Sequence, residues 1–115
     1  MSIWTVLALA AAAAFVYTRM QGGNRMSQAT IKEKIAAGAT VLDVRTKDEF
    51  RSGAYPGAIN IPLQELQGRL GELAKDKPVI VYCAAGGRSA AAASAMKQAG
   101  FAEVLNAGGL GQMPR

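Results

Sequence analysis

"PVIVYCAAGGRSAAAASAM", residues 78–96, joins a run of uncharged strand-forming residues to an alanine-rich segment through a pair of glycines. The first five residues carry no charge, which is typical of a strand that is buried on both faces of a sheet. The alanines between Ser89 and Ala99 predict a stable helix, and Gly100 ends it. A buried strand that leads directly into a helix is the repeating unit of parallel α/β sheets.

The same alternation extends on both sides of this stretch. A first helix is expected after the capping residues Ser27 and Thr30, a short turn-helix at "KDEFRSG", and an amphipathic helix at "LQELQGRLGELA". Further short strands are predicted at "TVLDV", "AINI" and "AEVLN". The pattern predicts an α/β fold with a parallel sheet flanked by helices, formed by residues 27–115.

Composition narrows the chemistry that this domain can perform. The chain has 115 residues, of which half are apolar, and this is enough for one small globular domain. Its single cysteine forms no internal disulfide, and the absence of histidine excludes Ser-His and Cys-His nucleophile systems and imidazole zinc sites. The net charge of +5 is scattered along the chain, so no nucleic-acid site is predicted. No nucleotide, flavin or metal motif is present, and no cofactor is expected.

The first 18 residues contain no charged side chain. As a helix they would span roughly 27 Å, close to the thickness of a bilayer core. A cleaved secretory signal and a buried core helix are the alternatives, but a membrane anchor fits best because Arg19 and Arg25 follow the apolar run. We therefore predict a single-pass hydrophobic anchor helix (1–18), a Gly-rich linker (19–26) and a domain that faces the cytoplasm.

The lone Cys83 stands where a parallel sheet usually binds its ligand, at the carboxyl end of the most apolar strand. Four small residues follow it, so the backbone can turn tightly and point several N–H groups at one place; they are Ala84, Ala85, Gly86 and Gly87. The helix N-terminus and Arg88 both favour a thiolate. A cysteine that only fills the core is the alternative, but packing alone requires neither this loop nor the arginine.

Four segments in order resemble the rhodanese family of single-domain sulfurtransferases. They are "VLDVRTKDEF" at 41–50, "YPGAINIP" at 55–62, "VYCAAGGRS" at 81–89 and "VLNAGGL" at 104–110. The resemblance implies a rhodanese-like fold and the transfer of a sulfane sulfur from a donor such as thiosulfate to a cyanide or thiol acceptor. The chain departs from the family in having Ala54 where histidine is usual, and in ending soon after the final glycine pair.

The same resemblance assigns roles to individual residues. Cys83 is the nucleophile and persulfide carrier, the backbone N–H groups from Ala84 to Arg88 cradle the persulfide, and Arg88 sets the loop or stabilises an anionic donor. Asp43 and Arg45 match a segment that is mainly structural and borders the pocket. Glu49 is interpreted as an organiser of helix and loop.

Two other functions use similar residues. Phosphatases of this fold place five residues between cysteine and arginine to encircle a phosphate, whereas four separate Cys83 from Arg88 here, and the smaller ring fits sulfur better. A non-enzymatic persulfide relay or binding module, which passes sulfur only to a docked protein acceptor, has no distinguishing sequence feature and stays open. A low-molecular-weight persulfide or a partner protein is an alternative donor, since Ala84 and Ala85 offer no charge.

Overall fold

A computed structural model of the chain describes residue 3 and residues 27–115. Within the second range, four parallel strands form one sheet in the order β2-β1-β3-β4. The strands are β1 (Thr40–Asp43), β2 (Ile59–Asn60), β3 (Val79–Cys83) and β4 (Val104–Gly109). The predicted parallel α/β architecture is confirmed.

Within residues 27–115, four α-helices accompany these strands: α1 (Gln28–Ala36), α2 (Lys47–Ser52), α3 (Leu63–Arg69) and α4 (Gly87–Gln98). Ser27 caps α1 as expected, because its side chain accepts a hydrogen bond from the backbone N–H of Thr30. The segment predicted as one amphipathic helix is shorter than expected: α3 ends at Arg69 and a 3₁₀ turn continues to Glu72. Two glycines, Gly68 and Gly71, lower the helix propensity at this point.

The sheet separates two apolar layers, and β3 contributes to both. All five of its residues are buried, as its lack of charge predicted. One layer packs against α3 and α4 and the other against Ile31 of α1. The β3 side chains alternate between them: Val79, Val81 and Cys83 lie in the first layer, Ile80 and Tyr82 in the second. Burial on both faces holds the carboxyl end of β3, and therefore Cys83, in a fixed position.

The predicted anchor at 1–18 and linker at 19–26 lie, apart from residue 3, outside the described residues. In the part of the chain that the structure describes, no helix has the length and apolar character needed to cross a bilayer. The anchor therefore stays a prediction from sequence.

Candidate active site

Cys83 ends β3 with its side chain beneath the loop that follows. The residue is 1% exposed, whereas Ala84, Ala85 and Gly87 are exposed above it. The backbone N–H of Gly86 points back at the sulfur and donates a hydrogen bond to Sγ across 2.9 Å. The loop thus folds over the thiol and presents a backbone donor to it.

Glycine is required twice for this arrangement. Gly86 is the N-cap of α4 and has φ +113°, a conformation that residues with a side chain rarely adopt. Gly109, at the end of β4, lies so close to the loop that a Cβ added there would sit 2.5 Å from the carbonyl oxygen of Ala84. The first glycine permits the turn towards the sulfur, and the second gives the turned loop room to pack against β4.

Ser89 is a site residue to which sequence reasoning assigned no role. It is fully buried in the first turn of α4, and its hydroxyl oxygen lies 3.5 Å from Cys83 Sγ. The same oxygen lies within hydrogen-bond distance of two carbonyls, those of Gly86 at 3.0 Å and Gly108 at 3.3 Å. A buried hydroxyl so placed accepts from the thiol or donates to the thiolate. The available signal was its place at the end of the "VYCAAGGRS" segment.

The environment of Cys83 lowers the pKa of its thiol below the ordinary value, although two effects oppose each other. Burial is the larger single effect and raises the pKa because it disfavours the charged thiolate. Hydrogen bonds from the Ser89 hydroxyl and from the backbone N–H groups of Ser89, Gly86 and Ala85 together outweigh it. Ala85 and Gly86 are among the residues whose N–H groups the resemblance assigns to a persulfide cradle, and that assignment stays a prediction. The site therefore stabilises the thiolate relative to that of an unperturbed cysteine.

Arg88, which the sequence predicted to set the loop or to stabilise an anionic donor, pairs with Glu49 in the structure. Its Nη1 and Nη2 atoms donate to Oε1 and Oε2 of Glu49 across 2.6 and 3.0 Å. Glu49 also completes a capping box with Thr46 at the start of α2. The hydrogen bond from Arg88, followed by that from Thr46, lowers the pKa of Glu49 to about 2. The carboxylate is therefore charged at neutral pH and offsets the charge of Arg88.

Asp43 and Arg45 form a second ion pair, which lies in the interior. Arg45 Nη2 donates to Asp43 Oδ2 across 2.7 Å and also to the carbonyl of Gly53 across 2.7 Å. Tyr82, which sequence reasoning did not single out, donates its hydroxyl proton to Asp43 Oδ2 across 2.8 Å. The Tyr82 hydroxyl oxygen in turn accepts a hydrogen bond from the backbone N–H of Tyr55 across 2.9 Å. This cluster ties the end of β1 to β3 and to the loop of residues 53–57.

Burial raises the pKa of Tyr82 to about 12, and the hydrogen bond to Asp43 adds to the effect while that from Tyr55 opposes it. The tyrosine is therefore protonated at neutral pH and acts as a fixed donor. These contacts anchor the loop that has Ala54 in place of the family's usual histidine. The cluster holds the carboxyl edge of the sheet and does not contact the Cys83 sulfur through any of its hydrogen bonds.

The chain's last residues wall a separate cavity of about 410 Å³. The cavity lies between the loop of residues 53–57 and the segment that follows β4. Its lining residues are Ala54, Tyr55, Pro56, Leu110, Gly111, Met113, Pro114 and Arg115. None of these residues belongs to the Cys83 loop. Within the described residues, no group of three or more histidine, cysteine, aspartate or glutamate side chains is placed to hold a metal ion.

The chain is similar in sequence and in fold to proteins that are already known. Residues 27–111 match the model of the rhodanese-like domain. A sulfurtransferase of Allochromatium vinosum is 33% identical over 72% of this chain and 79% of its own length. The thiosulfate sulfurtransferase PspE of Escherichia coli is 41% identical over 60% of this chain and 68% of its own length. The solved structure of the human single-domain sulfurtransferase TSTD1 superimposes with a TM-score of 0.68 at 25% identity, covering 75% of this chain and 89% of that one.

The match covers all four strands, the Cys83 loop and α4. The relatives support sulfur transfer as the general chemistry, and the fold agrees with that of the solved structures. The chain belongs to the rhodanese-like domain family.

Proposed function

We propose that this protein is a sulfurtransferase that moves a sulfane sulfur from a donor such as thiosulfate to a thiol or cyanide, with Cys83 as the carrier. The observation that carries the proposal is the 2.9 Å hydrogen bond from the Gly86 N–H to the Cys83 sulfur, in a loop that lowers the thiol pKa. A backbone donor aimed at sulfur stabilises a thiolate, and the terminal sulfur of a persulfide is likewise anionic at neutral pH. The family relatives support the same chemistry.

The transfer consists of two displacements at sulfur. The Cys83 thiolate attacks the outer sulfur of thiosulfate, a new S–S bond forms, the S–S bond of the donor breaks, and sulfite leaves with the electron pair. An acceptor thiolate or cyanide then attacks the terminal sulfur of the persulfide, and the Cys83 thiolate leaves. Neither step requires a strong general base once the thiolate exists, which suits a chain without histidine.

Intact mass spectrometry of the purified full chain tests this cycle directly. Incubation with thiosulfate should add one sulfur atom to the wild type, and cyanide should remove it as thiocyanate. The matched control is Cys83→Ser, which removes the only thiol of the chain and should gain nothing. A wild type that gains no sulfur from thiosulfate or from glutathione persulfide would overturn the proposal.

The same experiment separates a turnover enzyme from a persulfide relay. A relay that serves only a docked protein would load sulfur onto Cys83 but would not release it to cyanide or small thiols. The phosphatase alternative is disfavoured by the pairing of Arg88 with both oxygens of Glu49, which leaves its guanidinium engaged. Hydrolysis of an aryl phosphate by the wild type and not by Cys83→Ser would favour the phosphatase.

We also propose that residues 1–18 anchor the protein in a membrane with the domain on the cytoplasmic side. The support is the uncharged sequence and the arginines at positions 19 and 25 that follow it. Extraction of membranes with alkaline carbonate should leave the full chain in the pellet, and protease added to inverted vesicles should remove the domain. Release of the chain by carbonate would contradict the anchor.

A further inference from the structure

We propose that Glu49 is a positioning residue for the Cys83 loop: its carboxylate holds Arg88 at the first turn of α4 and offsets the guanidinium charge that would otherwise act on the sulfur. The inference rests on the proposed function, because it concerns the residues that set the charge around the same Cys83 thiol. Its central test measures the thiol alone and does not require sulfur transfer to occur.

The first support is the geometry of the pair. Both terminal nitrogens of Arg88 donate to the two separate carboxylate oxygens of Glu49, across 2.6 and 3.0 Å. Such a two-point contact fixes the plane of the guanidinium as well as its position. The two residues are 39 positions apart, so the pair joins α2 to the loop that covers the sulfur. Movement of α2 would therefore be transmitted to the loop.

The second support is that Glu49 is itself held in place. Its backbone N–H donates to the Thr46 hydroxyl across 3.1 Å, and its Oε1 accepts from the Thr46 N–H across 3.0 Å. This capping box sets the direction of the Glu49 side chain independently of its contact with Arg88. A carboxylate fixed at the start of one helix thus serves as the anchor for the arginine of another.

The third support is electrostatic proximity. The charges of Glu49, Cys83 and Asp43 all raise the pKa of Arg88, after the direct hydrogen bond to Glu49. Arg88 and a Cys83 thiolate are thus close enough to interact, and an unpaired Arg88 would stabilise that thiolate further. Glu49 limits this effect by supplying an opposite charge at contact distance from Arg88.

Other ionisable groups on the elements packed nearby do not replace this pair. Asp43 and Arg45 form an ion pair at the end of β1, and the Tyr82 hydroxyl of β3 donates a hydrogen bond to Asp43. On α3, Glu65 pairs with Arg69. The residues of β4 are VLNAGG, which carry no ionisable side chain. On α2, Asp48 pairs with Arg51, and Lys97 lies in the last turn of α4, at the end remote from the loop. Glu49 of α2 and Arg88 of α4 form the ion pair next to the loop.

The test is a double-mutant cycle read by alkylation of the thiol. Glu49→Gln removes the charge but retains the side-chain oxygen that a capping box needs, so the fold is preserved. Arg88→Gln removes the opposite charge, and the double variant removes both. Because the chain has one cysteine, the pH dependence of its reaction with iodoacetamide reports Cys83 alone.

The proposal predicts shifts of opposite sign in the two single variants. The alkylation midpoint should fall by about half a pH unit in Glu49→Gln and rise by a similar amount in Arg88→Gln, as expected for one unpaired charge that is itself partly exposed to solvent. In the double variant the shifts should largely cancel. The matched control is Glu72→Gln, which breaks an exposed glutamate–arginine pair after α3 and should leave the midpoint unchanged.

A merely structural role would give a different result, since loosening the loop would raise the midpoint in both single variants. That outcome, or the absence of any shift, would overturn the proposal. If wild-type protein transfers sulfur, the KM for the dianion thiosulfate should fall severalfold in Glu49→Gln and rise in Arg88→Gln, with smaller changes in kcat. If it transfers none, the proposed function fails while the alkylation cycle still decides the role of Glu49.

Discussion

The close approach of Gly109 to the Cys83 loop leads to the sharpest prediction for this site. Gly109 has ordinary extended dihedral angles, φ −94° and ψ 162°, so alanine is conformationally acceptable there. Its Cβ, however, would lie 2.5 Å from the carbonyl oxygen of Ala84, where real Cβ atoms essentially never come closer than 3.0 Å. Gly109→Ala must therefore displace the loop or β4 by at least about half an ångström.

This displacement has two consequences that can be measured separately. Overpacking of this kind costs about 1–3 kcal/mol in the free energy of unfolding. A loop pushed away from β4 also weakens the 2.9 Å hydrogen bond from Gly86 to the sulfur. Loss of one such bond is worth about 1 kcal/mol, so the thiol pKa should rise by roughly half a unit to one unit.

The assay combines urea denaturation of the full chain with the pH profile of iodoacetamide alkylation. Gly111→Ala is the matched control, because a Cβ at that position meets no atom within 4 Å and its φ is not positive. We expect the control to keep the wild-type thiol profile and Gly109→Ala to shift it upward. An unchanged profile in Gly109→Ala would refute the idea that contact with β4 sets the loop.

Three further predictions concern residues around the loop. Ser89→Ala removes the hydroxyl 3.5 Å from the sulfur and should raise the alkylation midpoint by about half a pH unit; an unchanged midpoint would show that the hydroxyl does not act on the thiolate. Tyr82→Phe leaves Asp43 without one donor and the Tyr55 N–H without its acceptor, and urea denaturation should show a loss of about 1–3 kcal/mol. Equal stability would contradict a stabilising role for the hydrogen bonds of Tyr82. Because the pKa of Glu49 is lowered to about 2, its contribution to stability is complete above about pH 4.5 and is lost as the pH falls towards 2. The difference in urea midpoint between wild type and Glu49→Gln should therefore shrink over that range, and a constant difference would argue against the ion pair as its source.

The strand and helix order was predictable because it depends on local patterns. Five uncharged residues before Cys83 predicted β3, and the alanines after Ser89 predicted α4. The amphipathic spacing after Pro62 predicted a helix, but not its early end at Arg69. The two glycines lower the helix propensity there, and the spacing of the leucines does not show at which residue the helix ends.

The position of the thiol also followed from the sequence, since a parallel sheet brings strand ends to one edge and small residues allow the loop to turn there. The partners of the site did not follow. Arg88 meets Glu49, and Tyr82 meets Asp43, across 39 residues in each case. No spacing rule links residues so far apart. Their contacts exist because β1 lies beside β3 in the strand order β2-β1-β3-β4, which brings the loops that follow both strands to the same edge.

The sequence by itself determined that the lone cysteine would lie at the carboxyl end of a buried parallel strand, because burial and chain turning are encoded in neighbouring residues. The tertiary structure decided how that cysteine is tuned. The Ser89 hydroxyl, the space left by Gly109 and the charge balance between Arg88 and Glu49 depend on distances between separate elements. Such distances are set by packing of the whole sheet, and packing is a property of the folded chain.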